Sequence, residues 1–146
     1  MKKTLSILLL GTALVVGGCS HRCGDNTCMK DANPAPTCSK TPAHFAFDSA
    51  VLDQADRDNL EKVAQRLNHN PNEKVRISGY TDSTGAQDYN MTLSKERAQS
   101  AARYLESLGI SANRISIKGY GATHFVAPNE TANERAQNRR IEVSFY

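Results

Sequence analysis

Apolar and polar positions along the chain switch between two periods, and the switches mark the elements. His44-Phe45-Ala46-Phe47-Asp48 predicts a short first strand. From about Gln54 to Asn68, Leu60, Val63, Ala64 and Leu67 recur at helical spacing, with Asp58 and Lys62 as an i,i+4 pair on the wet side. Asn68 to Pro71 is a stop. Lys74 to Tyr80 then alternates, with Val75, Ile77 and Gly79 on one face and Lys74, Arg76, Ser78 and Tyr80 on the other. A long helix is predicted from about Asp88 to Leu108, with Gly109 placed to cap it. Arg114 to Tyr120 alternates again. A loop punctuated by glycine and proline, Gly121 to Asn129, leads to a short helix around Thr131 to Gln137. The last strand puts Ile141, Val143 and Phe145 on one face, against Arg140, Glu142 and Ser144.

Sheets covered by helices on both faces read as continuous apolar runs, whereas these strands alternate. The pattern therefore predicts an α+β fold, a two-layer α/β sandwich ordered β-α-β-α-β-(α)-β. Its helices lie on one face of a mixed four-stranded sheet, and water lies on the other.

One residue breaks the pattern of the long helix. At roughly 100° per residue, Leu93, Tyr104, Arg97, Leu108, Ala101 and Leu105 share one side, and Lys95, Glu96, Gln99, Arg103 and Glu106 share the other. Arg97 thus lies inside the apolar stripe. A guanidinium does not lose its proton, so a sheltered one needs an anion. Asp82, in the turn before the helix, is the nearest candidate. The two form either a structural ion pair or half of a binding site for a zwitterion. Strand parity also turns Arg139 toward the helix layer, beside Ile141, Val143 and Phe145. Asp48, with the parity of Ala46, is expected on the same covered side. A solvated Arg139 at a strand end is the alternative.

The amino-terminal residues add an address. Lys2-Lys3 followed by an apolar run from Leu5 to Val16 has the form of a secretory signal, residues 1–18, and the run is too short to span a membrane. It ends in Val16-Gly17-Gly18-Cys19-Ser20, which resembles the bacterial lipoprotein signal. That resemblance implies cleavage before Cys19, diacylglycerol on its thiol, and, from Ser20, delivery to the outer membrane. The alternative is an ordinary signal whose Cys19 joins a disulfide. Residues 19–42 are short of apolar residues and contain prolines, as a tether does. Cys23, Cys28 and Cys38 leave an odd thiol if Cys19 is acylated. A zinc site from His21 and these cysteines lacks paired spacing. The two lysines lost with the signal take the net charge from +3 to +1, which argues against nucleic acid as a partner.

Residues 43–146 read as one domain. Phe47-Asp48-Ser49, Gly79-Tyr80-Thr81-Asp82, Tyr89-Asn90-x-x-Leu93-Ser94-x-x-Arg97-Ala98, Gly119-Tyr120-Gly121 and Asn138-Arg139-Arg140-Ile141-Glu142 together resemble the OmpA-like C-terminal domain family. With the lipoprotein signal, the chain is similar to the peptidoglycan-associated lipoproteins of Gram-negative outer membranes. One departure is Glu134, where the family often has glycine. The cysteine-bearing tether is also not a family feature. The resemblance implies an outer-membrane lipoprotein, lipid-anchored and facing the periplasm, that binds the peptidoglycan stem peptide noncovalently through meso-diaminopimelate. It places the site at Asp82 and Arg97, with Asn90 and Leu93 lining the pocket. Backbone N–H groups after Asp48, with Arg139, are implied to hold a further carboxylate. Diaminopimelate carries an ammonium and a carboxylate on one carbon, which a fixed anion and a guanidinium fork read together.

An enzyme acting on the cell wall would need paired carboxylates, a zinc triad or a nucleophile with its base. His44, His69 and His124 are scattered without metal spacing, so no catalytic residue, metal or cofactor is expected. The rival to a wall-binding role is an envelope protein–protein adaptor on the same fold, with Asp82 and Arg97 as a structural pair.

Overall fold

The computed structural model describes residues 40–146. The signal, Cys19 and the tether residues His21, Cys23, Cys28 and Cys38 lie outside the described residues. In chain order the elements are β1 (Lys40–His44), α1 (Gln54–His69), β2 (Val75–Gly79), α2 (Gln87–Ser107), β3 (Ile115–Gly119), α3 (Ala132–Asn138) and β4 (Arg140–Phe145), with one 3-10 turn at Ala112–Arg114 before β3. The sheet order is β1-β4-β2-β3. β2 and β3 run parallel, while β4 lies between β1 and β2 and is antiparallel to both. The mixed four-stranded sheet of an α+β fold is therefore present as the alternation requires.

The starts of α1 and α3 follow from side chains that satisfy orphan amides, whereas α2 starts after Ala86 with no side-chain cap. Asp53 caps α1 in a reciprocal box with Asp56, and Thr131 caps α3 in the same way with Glu134. The departure at Glu134 thus has a local role, since its carboxylate accepts from the Thr131 N–H at 2.8 Å. Leu108 caps α2 at its C-terminal end, and Gly109 follows with φ +90°, a left-handed conformation that glycine adopts without a Cβ clash.

Leu60, Ala64 and Leu67 of α1 and Ala98, Ala101, Ala102 and Leu105 of α2 pack on Val75, Ile77, Ile141, Val143 and Phe145. Each fully buried aliphatic side chain contributes about 1.5–3 kcal/mol. α2 lies unusually close to the sheet at two glycines. A Cβ on Gly79 would overlap the Ser94 carbonyl oxygen, and one on Gly119 would lie 2.6 Å from the Ser94 hydroxyl and 2.8 Å from the Lys95 nitrogen. That approach fixes the first turns of α2, and so Asn90, Leu93 and Arg97, against the ends of β2 and β3.

Three expectations need correction. β1 occupies Lys40–His44 rather than 44–48, beginning inside the stretch assigned to the tether. The ladder with β4 ends because the chain before Arg140 turns into α3. Phe45 N–H still donates to the Arg139 carbonyl at 2.8 Å, and beyond it the carbonyls of Phe45, Ala46 and Ser49 accept from guanidiniums instead. Ala43 and Phe45 are the covered positions, while Ala46 and Asp48 are exposed, and Asp48 has φ +52°. The open face of the sheet is not wholly wet either. Tyr80 and Arg140 are buried there, because the loop 121–129 folds over them. Arg140 lies 4.0 Å from the Tyr80 ring centroid, donates to the His124 carbonyl and pairs with Glu142 at 2.6 Å. Tyr80 stacks on Tyr120, and burial raises its phenol pKa. Last, Lys62 donates to Asn59 and Asp58 accepts from Gln54, in place of the expected Asp58–Lys62 pair.

Candidate functional site

A cleft of about 170 Å³ opens where the loop after β1, the turn after β2, the first turns of α2 and the start of β4 meet. Its lining includes all six residues singled out from the sequence: Asp48, Asp82, Asn90, Leu93, Arg97 and Arg139. Phe47, Thr81, Thr84, Gly85 and Tyr89 complete it. Three separate loops and a helix thus converge on one hollow, although Asp48 and Arg139 are far apart in the chain.

The turn after β2 is held from several sides. Thr84 N–H donates to Asp82 Oδ1 at 2.9 Å, and Asn90 Nδ2 donates to the Thr84 carbonyl at 2.9 Å. Ser83 N–H donates to Asn129 Oδ1 at 3.1 Å. Asn129 is in turn held by Asn138, whose side chain also accepts from the Val126 and Ala127 amides and donates to the Ala127 carbonyl. Asn138 is completely buried, and this satisfied network fixes the loop that flanks the cleft.

Asp82 does not pair with Arg97. It is 3% exposed, and its Oδ2 accepts from Arg139 Nη1 at 3.0 Å. Arg139 also donates from Nε to the Phe45 carbonyl at 3.0 Å. Burial pushes the Asp82 carboxyl up, but the Thr84 amide and the Arg139 guanidinium outweigh it and hold the pKa below its ordinary value. Arg139 is accordingly an ion-pair partner rather than a solvated strand-end arginine.

Arg97 is 0% exposed and is held by backbone alone. Its Nε donates to the Ser49 carbonyl at 2.8 Å, Nη1 to Tyr80 at 2.9 Å and Nη2 to Ala46 at 3.2 Å. The Phe45 ring lies 5.2 Å from its central carbon. A guanidinium has five N–H groups, so two remain, one on each terminal nitrogen. Burial, with Arg139 adding repulsion, lowers the Arg97 pKa to about 10, so it stays charged at neutral pH. The sequence was right that Arg97 faces inward and wrong about its partner. The neighbouring carboxylate is taken by a second arginine.

The balance of charge decides what the cleft can do. Two guanidiniums lie beside one buried carboxylate and Arg139 takes it, so Arg97 is a buried cation with no ion-pair partner of its own. Arg97 lines the cleft and keeps two N–H groups unused, donors of the kind a carboxylate accepts from. Asp82 keeps acceptor capacity for a cation beside it. Asp48 stands on the exposed lip, where the Tyr89 hydroxyl donates to its carboxylate and the Tyr89 pKa is raised by that bond.

Of the five lining residues that sequence reading did not single out, Thr81 stands apart. Its hydroxyl is the one buried side-chain oxygen among the described residues without a hydrogen-bond partner, and it lines the cleft beside Asp82. Its place in the Gly79–Asp82 stretch was a signal. Its lack of a partner was not visible there. No group of three His, Cys, Asp or Glu side chains among the described residues is placed to hold a metal ion.

The sequence matches the OmpA family over residues 44–139. It is 44% identical over 105 residues to the probable lipoprotein YiaD of Escherichia coli K12, covering 70% of this chain and 48% of that protein. It is 40% identical over 102 residues to the peptidoglycan-binding protein ArfA of Mycobacterium tuberculosis H37Rv, covering 70% of this chain and 31% of that one. The chain thus spans half or less of the length of these two relatives. The crystal structure of the peptidoglycan-associated lipoprotein from Burkholderia pseudomallei is similar with a TM-score of 0.68 at 30% identity, covering 70% of this chain and 87% of that one. This chain belongs to the OmpA family.

Proposed function

We propose that the protein binds peptidoglycan noncovalently, gripping the zwitterionic end of the meso-diaminopimelate in the stem peptide. One observation carries this reading: Arg97, fully buried and still charged, has only carbonyl partners, because Arg139 occupies Asp82. A buried charge without a counter-ion is unfavourable, so the empty half of its guanidinium is where a ligand carboxylate gains most. The ammonium on the same carbon is placed beside Asp82, and Asn90 and Leu93 shape the wall of the pocket. Two relatives carry peptidoglycan in their names, which supports the same ligand class. In this reading nothing is cleaved, and the protein acts as a link. Cys19 bears the lipid that fixes it to the outer membrane, and the domain faces the periplasm on its tether.

The test is co-sedimentation with purified sacculi. Wild type should pellet, while Arg97→Lys and Asp82→Asn should remain in the supernatant with their near-ultraviolet circular dichroism intact. Lysine keeps the charge but loses the fork. Pelleting of both variants at the wild-type level would refute the assignment. Soluble muropeptides released during the incubation would refute the noncatalytic part. The anchor is tested separately by feeding cells a labelled fatty acid. Label should appear on wild type and be absent from Cys19→Ala.

A further inference from the structure

The loop that gives Phe47 and Asp48 to the cleft gives Ala50, Val51 and Leu52 to a second, shallower groove of about 400 Å³. Its other walls come from the first turn of α1, through Arg57, and from α2, through Arg103 and Tyr104. No carboxylate is among its lining residues, and the nearest acid contact is Glu61, which accepts from the Tyr104 hydroxyl at 3.0 Å. The ion pairs among the described residues are Arg66–Glu73, Arg139–Asp82 and Arg140–Glu142, so neither groove arginine has an acidic partner. Arg57 lies over the Tyr104 ring, 5.9 Å from its centroid, and Arg103 reaches only the Ser100 hydroxyl at 3.4 Å. Val51, 74% exposed, stands as an apolar post on the rim, above the buried Leu52.

We propose that this groove docks an acidic segment of a partner protein, with an apolar side chain flanked by carboxylates. The two exposed arginines, neither of which has a carboxylate partner, call for two negative charges. Arginine and tyrosine around an apolar contact are the side chains that carry most of the energy at protein–protein interfaces. A cell-wall stem peptide would bring carboxylates, but it has no large apolar side chain for Val51 and Leu52. The occupant is therefore a protein segment, and the groove is separate from the wall-binding cleft.

The test uses the full chain, isotopically labelled in detergent micelles, titrated with capped pentapeptides of the form Glu-Leu-Ala-Leu-Glu and Glu-Phe-Ala-Leu-Glu. Nuclear magnetic resonance shifts should appear at Val51, Arg57, Arg103 and Tyr104 and saturate at submillimolar peptide. Replacing both glutamates by glutamine should weaken binding about tenfold or more, as should the double variant Arg57→Gln/Arg103→Gln. Both arginines are exposed, so that variant should keep the wild-type unfolding midpoint. The proposal is overturned if millimolar peptide leaves these residues unshifted, or if the glutamine peptides bind equally well. Shifts centred on Asp82 and Arg139 would overturn it too, as would stem peptide shifting the groove residues more than the acidic peptides do.

Discussion

Gly79→Ala is the most informative single change in the frame of the site. The added methyl would overlap the Ser94 carbonyl oxygen and lie 2.8 Å from its carbon, where carbon atoms normally stay about 3.5 Å apart or more. The obstacle is helix backbone, which cannot swing aside as a side chain can. α2 must lift by well over half an ångström, or β2 must buckle. Overpacking of this kind costs about 1–3 kcal/mol where side chains can yield, so about 3 kcal/mol or more is expected here. Gly119→Ala meets a movable hydroxyl first but then the Lys95 nitrogen at 2.8 Å, and should fall between. Gly109→Ala meets nothing within 4 Å and bears only the strain of φ +90°, about 1 kcal/mol. Urea unfolding of the three variants should rank them in that order. Sacculus binding should fall for Gly79→Ala even where the protein is folded, because lifting α2 moves Arg97 from the Tyr80 carbonyl. If Gly79→Ala costs no more than Gly109→Ala, close packing of α2 on β2 is not what positions the site.

Asp82→Asn should weaken stem-peptide affinity at least tenfold, about 1.4 kcal/mol, and lower stability by about 1–3 kcal/mol, since Arg139 loses its only carboxylate. Calorimetric titration and urea unfolding separate the two effects, and unchanged affinity would contradict the assignment. The pH dependence follows from the depressed Asp82 pKa. Its contribution to stability is whole above the ordinary carboxylate value of 3.8 and is lost as pH falls through the lower folded value. The stability gap between wild type and Asp82→Asn should stay constant from about pH 5 to 8 and close only below about pH 4, so a gap already closing at pH 6 would contradict it. Asn138→Ala removes the buried amide that holds the Val126 and Ala127 amides and Asn129, and should cost about 2–4 kcal/mol. Amide exchange should quicken at Val126, Ala127 and Ser83, and unaltered protection there would refute the network's role.

The period of the chain was enough for the two long helices, which begin and end within about two residues of their predicted bounds. β2 and β3 are likewise shorter by one residue at each end. β1 was misplaced because Phe45 to Asp48 looks extended and apolar, yet its partner strand does not reach that far. The chain before Arg140 turns into α3, and the carbonyls left beyond the ladder are taken by Arg97 and Arg139, which no local pattern records. The same long-range competition explains the site. Helical periodicity pointed Arg97 inward, and strand parity pointed Arg139 inward. Neither could say which arginine would take Asp82. The roof over Tyr80 and Arg140 was hidden for a related reason: it is formed by an irregular loop, and periodicity speaks only for regular elements.

Wall binding as proposed depends on one buried guanidinium, that of Arg97, pairing with a ligand carboxylate. Calorimetry of the full chain with two stem tripeptides tests this most directly, one ending in meso-diaminopimelate and the other in L-lysine, with the carboxyl at the peptide-bonded carbon amidated in both. The lysine peptide keeps an ammonium at the side-chain end and lacks the carboxylate beside it. Diaminopimelate peptide should bind about a hundredfold tighter, a difference of about 2.7 kcal/mol, and that preference should vanish in Arg97→Lys. Equal affinity of wild type for the two peptides would contradict the account.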